Sequence, residues 1–180
     1  MPVTPLHYVV AYVINKAKLG LVFPALIVGS VIPDLEPLVG YLTNGQLLPP
    51  RGFMHSLLGS VTLDTFLAVM VTIFLYPSLV SWIFRVDKKE VAEKCRLSRL
   101  LVLSTLIGSL SHVLVDITNH EYNPFFYPFT SQSFDTFVLF NDYVSASILI
   151  HALLFVMLLA IFSYEIRKGK EGFWKRLLVK

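Results

Sequence analysis

One cysteine, Cys95, in 180 residues leaves no partner for an intrachain disulfide and no cysteine-rich metal site, so any metal this chain binds is held by histidine and carboxylate. Charge is scarce as well, with Asp, Glu, Lys and Arg together at 15%. No G-x-S-x-G turn is present to raise a serine nucleophile, and there is no P-loop or dinucleotide fingerprint. Repeats and low-complexity tracts are absent too. The chain starts MPVTPLHYVV, without a basic region ahead of a short apolar core, which predicts that these residues belong to the fold rather than to a removable signal peptide.

What is present is apolar. Hydrophobic residues make up 55% of the chain and the mean hydropathy is +0.68, beyond what a soluble domain of this size uses for its core. The sequence therefore reads as an integral membrane protein. Three apolar segments, at about 57–84, 99–118 and 143–164, are long enough to span. Between Leu6 and Pro33 the apolar run is broken by Asn15, Lys16, Lys18 and Gly20, which predicts a hairpin of two short helices, 7–18 and 20–34. At 1.5 Å per residue these arms are about 18–22 Å long and return His7 and Asp34 to nearly the same height. The fold class is all-α: one polytopic membrane helical bundle with an N-terminal short helical hairpin, three longer spans, and a basic tail at 165–180.

Charge placement orients that bundle. Six basic residues lie in the loop 85–99, six in the tail, and Lys16 and Lys18 at the hairpin turn, so 14 of the 15 Lys and Arg residues share one side and only Arg51 lies opposite. The positive-inside tendency puts loop 85–99 and the C-terminus in the cytoplasm. The net charge of +3 is thereby explained as a topology signal, and no nucleic-acid partner is expected. The tail, with Phe173, Trp174, Leu177 and Leu178 beside its cations, is expected to lie on the inner membrane surface.

The same threading gathers the polar residues that need explaining at the outer ends of the helices: Asp34, Glu36, His55, Asp116 and His120, with His112 one turn deeper. His112, Asp116 and His120 recur every four residues, within about 80° of helical arc, so they can converge on one spot. A central Asp costs about 2.5–3.5 kcal/mol on insertion scales, which a bound metal or a polar protein interior would offset. Two outer segments interrupt the helical pattern. The first, 34–53, is punctuated by Gly, Pro and Asn as a loop. The second, 119–142, is rich in phenylalanine and suits an interfacial aromatic belt or a groove for an acyl or isoprenoid chain. His151, inside the last apolar run, suits a buried hydrogen-bond partner.

Four pieces carry a family resemblance: MPVTPLH, then GSVIPDLEP at 29–37, PRGFMHSLLGS at 50–60, and GSLSHVLVDITNHEYNPFFYPF at 108–129. In this order they resemble the family of small membrane-bound metal-dependent hydrolases that includes LexA-regulated bacterial inner-membrane proteins and archaeal relatives. A fainter likeness, through HVLVD and the Pro-Asp turn, runs to zinc-dependent phospholipase C. The resemblance implies metal ligands at His7, Asp34, His55, His112 and Asp116. Two departures stand out: Glu36 replaces an Asp common in the family, and Pro50 replaces a His before Arg51-Gly52.

Zinc accepts imidazole nitrogen and carboxylate oxygen and keeps a position open for water in catalytic sites. The expected cofactor is a divalent metal, zinc first, as one or two ions, with Glu36 as a candidate general base and Arg51 as a phosphate-binding cation. The leading function is hydrolysis of a phosphoester of a lipid or other amphiphile near the outer membrane surface. The alternative is a non-enzymatic membrane protein that binds an ion for structure or transport. His120 is left between metal support, substrate contact and solvent.

Overall fold

The computed structural model describes residues 4–45 and 51–180, and among these every regular element is a helix. Helix α1 (His7–Lys16) runs into a turn where Lys18 and Gly20 take positive φ, 56° and 71°, reversing the chain. Helix α2 (Phe23–Gly29) carries Pro24 in its first turn, where the missing N–H has no intrahelical partner to lose. A 3-10 turn, Ile32–Asp34, leads directly into α3 (Leu35–Asn44), which Gly45 ends in the left-handed conformation.

The hairpin is thus present, but the chain continues helically to Asn44 through a stretch expected as loop. Pro37 lies in the first turn of α3, where proline is compatible with helix, and Leu38, Val39 and Leu42 form an exposed apolar side. Taken together, Phe23–Thr43 is long and apolar enough to cross a membrane. Three further spans follow: α4 (Leu57–Phe84), α6 (Arg99–Asp116) and α7 (Tyr143–Arg167). Between α4 and α6 lies a short helix, α5 (Lys88–Lys94), and the tail forms α8 (Phe173–Leu178). Side-chain caps mark four starts: Ser56 for α4, Asp87 for α5, Ser98 for α6 and Asp142 for α7.

Helix α2 crosses α6 at backbone contact because the crossing is made of small residues. A Cβ on Gly108 would lie 2.5 Å from the Leu26 carbonyl oxygen and 2.9 Å from the Ser30 nitrogen, and one on Gly29 would collide with the Thr105 carbonyl. Ser104 accepts the Val22 N–H at 2.8 Å beside them. In a bilayer, where apolar side chains gain little by leaving lipid for protein, such close packing is what holds helices together.

One end of the bundle is closed by the tail, which packs against the helices. Leu177 and Val179 are buried. Tyr8 and Tyr76 donate to the Leu177 and Leu178 carbonyls at 2.8 and 2.7 Å, and Asn15 reaches the Lys180 carbonyl at 3.2 Å. Arg176 pairs with Glu165, and Lys175 with Glu90. The hairpin turn, the segment after α4 and the tail therefore meet at one end of the bundle, and His7, Asp34, His55 and Asp116 meet at the other.

Because Gly108 has no room for a methyl group, Gly108→Ala is expected to force α2 from α6 and lower stability by about 1–3 kcal/mol. Thermal unfolding in detergent measures this; an unchanged midpoint would show that the crossing is not tight.

Candidate metal centre

Four segments bring five side chains to one point. His7 is the first residue of α1, Asp34 ends the turn before α3, His55 closes a 3-10 turn ahead of α4, and His112 and Asp116 lie one turn apart at the end of α6. All five are buried, His112 completely. His112 Nε2 lies 3.2 Å from Asp116 Oδ2 and 3.5 Å from Asp34 Oδ1. His55 Nε2 lies 3.8 Å from Asp34 Oδ1 and 3.9 Å from Asp116 Oδ2, and His7 Nε2 lies 3.5 Å from Asp116 Oδ1. Ligands at 2.0–2.1 Å around a tetrahedral zinc are about 3.3–3.4 Å apart, so these spacings are close to the edges of a coordination polyhedron.

Two of the imidazoles are held with their inner nitrogens bare. His112 Nδ1 is 2.8 Å from the Ser30 carbonyl, which only accepts, so Nδ1 carries the proton and, in the neutral imidazole, Nε2 the lone pair. His55 Nδ1 is 3.0 Å from Glu36 Oε2, with the same consequence. Glu36 is itself fixed by N–H groups of Gly52 at 2.8 Å and Met54 at 3.2 Å. A Cβ on residue 52 would come within 2.9 Å of Glu36 Oε1, so glycine admits the carboxylate there. Buried and without a hydrogen-bond partner are both His7 nitrogens, Nε2 of His55 and His112, Asp34 Oδ2 and Asp116 Oδ1. Imidazole lone pairs and carboxylate oxygens thus face one another, a donor set able to hold a metal ion.

Arg51 is brought in at the rim, its guanidinium 2.6 Å from Asp116 Oδ2 and 2.8 Å from His120 Nε2. His120 lies 3.5 Å from Asp116 Oδ1, so it joins the cluster. Burial pushes its imidazole down to about 4, with Arg51 acting in the same direction and Asp116 opposing, so it is neutral at pH 7. His151 is apart from the centre and bonds the Ser147 carbonyl of its own helix at 2.6 Å. Pro50 lies outside the described residues.

The aromatic segment packs on itself and on the start of α4. Phe125 stacks on Phe134 at 5.4 Å, and the Phe125 carbonyl accepts the Leu57 N–H at 2.9 Å, two residues after His55. An apolar cavity of about 270 Å³ opens there, lined by Leu57, Leu58, Val61, Phe125, Phe126 and Phe129 among others. One buried acid near the centre was missed from the sequence. Asp64, in a π-helical turn of α4, accepts a hydrogen bond from Ser109 at 3.3 Å and has Oδ1 unpartnered. Its only signal was a lone carboxylate in a run otherwise read as a plain span.

The YdjM inner membrane protein family model matches residues 6–177. The chain belongs to this family. This is the LexA-regulated membrane family that the four motifs resemble, and the YdjM match extends past Phe129 through the last span into the tail. Membership makes the chain an integral membrane protein, in agreement with its four candidate spans. No curated protein and no solved structure matches it.

Within this YdjM-family chain, Glu36 is the side chain that orients His55. Glu36→Gln is expected to weaken divalent-metal affinity about 10–100-fold, the usual cost of losing such a partner. Competition with a metal-chelating dye measures this, and unaltered affinity would free Glu36 for another role.

Proposed function

We propose that the protein is a membrane-embedded metal-dependent hydrolase acting on a phosphoester of a lipid or other amphiphile. The observation that carries this reading is the meeting of buried acceptors, Nε2 of His55 and His112 with oxygens of Asp34 and Asp116, with the other nitrogen of each histidine already committed. Lone pairs brought together out of water repel unless a cation lies between them. The nitrogen and oxygen donors suit zinc. A divalent ion there supplies an acidified water and neutralises charge on a phosphoryl oxygen.

The chain's own residues supply the rest. Arg51, beside Asp116, is the cation available to a phosphate, and a guanidinium binds one bidentately. Glu36 acts by holding His55, because Oε2 is engaged by both the imidazole and the Gly52 N–H. The apolar cavity beside Leu57 receives the hydrocarbon part of the substrate. The basic asymmetry supports a centre at the outer surface of the plasma membrane, with the segment 85–99 and the C-terminus cytoplasmic. The ion-binding alternative, structural or transporting, draws on Asp64, a buried carboxylate within the span Leu57–Phe84.

Hydrolysis of a chromogenic phosphodiester or a lipid phosphate tests the reading. Turnover should stop on chelation and return with zinc or manganese, and Asp34→Asn should abolish most of it. Arg51→Ala should lower kcat about 10²–10³-fold while metal content is kept. Phe126→Ala should raise KM for long-chain substrates more than for short ones. If metal-loaded protein turns over nothing across a broad phosphoester panel, the ion-binding alternative is the better reading.

Topology needs introduced cysteines, because Cys95 is buried and its thiol is pushed up to about 12. In a Cys95→Ala background, an impermeant maleimide applied from outside should label Gln132→Cys and spare Lys170→Cys. The reverse pattern would place the centre in contact with the cytosol.

A further inference from the structure

We infer that the centre is dinuclear, with Asp116 bridging two divalent ions and His120 ligating the second. This rests on the metal-centre reading above and adds to it the number of ions and a ligand that the motifs left unassigned. The geometry divides the donors around the two oxygens of one carboxylate. Asp116 Oδ2 lies 3.2 Å from His112 Nε2 and 3.9 Å from His55 Nε2, the side on which Asp34 also lies. Asp116 Oδ1 lies 3.5 Å from His7 Nε2 and 3.5 Å from His120 Nε2. One ion is therefore held by Asp34, His55, His112 and Oδ2, and the other by His7, His120 and Oδ1.

Three further observations agree. His112 donates Nδ1–H to the Ser30 carbonyl and has one lone pair, at Nε2, so it serves one ion and His7 is free for another. The His7 and His112 rings are stacked at 3.8 Å with planes 22° apart, and both turn Nε2 toward Asp116, so the two nitrogens address neighbouring points. Arginine only donates, so the 2.8 Å contact from Arg51 places the lone pair of His120 on Nε2, the nitrogen facing Asp116. With an ion on His120 and Asp116, the guanidinium is released to an anionic substrate at the pair.

The test is metal stoichiometry of the full chain in detergent after loading with zinc, with manganese for spectroscopy. The wild-type protein should hold two zinc ions per chain, and His120→Ala and His120→Gln one each, with helical content and monodispersity kept in at least one variant. Manganese-loaded wild type should give the broad signal of a coupled pair, and the His120 variants the six-line spectrum of single ions. One zinc per wild-type chain overturns the dinuclear inference and leaves the metal-centre reading standing; none overturns both. Two ions retained in a folded His120 variant removes His120 from the ligand set.

Discussion

The hydrogen bond from His112 Nδ1 to the Ser30 carbonyl is the constraint on which the centre depends. It spans two helices, so it forms only where α2 and α6 approach at backbone distance, and they do so because Gly29 and Gly108 have no side chains. The same bond settles which nitrogen of His112 faces inward. A packing requirement of the membrane interior and a chemical requirement of the centre are thus met by one pair of glycines.

The two ends of the bundle treat buried carboxylates in opposite ways. At the end closed by the tail Glu165 is surrounded by donors: Tyr12 at 2.6 Å, Arg176 at 2.8 Å, Lys168 at 3.0 Å and, farther off, Lys16 at 3.8 Å. Such a set neutralises a charge for structural ends and fixes the tail beneath the helices. At the opposite end Asp34 and Asp116 face imidazole nitrogens whose protons point elsewhere, and Arg51 satisfies one oxygen of Asp116 alone. The contrast within one chain argues that Asp34 and Asp116 are arranged to suit a cation that comes from outside the chain.

Much of this was legible in the residues. The span at 57–84 was readable to the residue because apolar length is a direct requirement of the bilayer, and His112 with Asp116 was readable because helical spacing alone puts them on one face. The continuation of helix to Asn44 was not, since Pro37 and Gly40 read as breakers while their tolerance depends on position in the turn. The docked tail depended on hydroxyls of Tyr8 and Tyr76, distant in sequence, and no local pattern announces such contacts. The contact between Glu36 and His55 was not legible, because the reach of a side chain across a turn is set by tertiary contact. Asp64 was hidden by the strength of the apolar signal around it.

X-ray absorption at the metal edge of the purified protein reads the centre most directly. A shell of nitrogen and oxygen at about 2.0–2.1 Å with outer scattering from several imidazole rings is the predicted result. Sulfur at about 2.3 Å, or an ion with a shell of water and no imidazole, would contradict the assignment of His55, His112, Asp34 and Asp116 as its ligands.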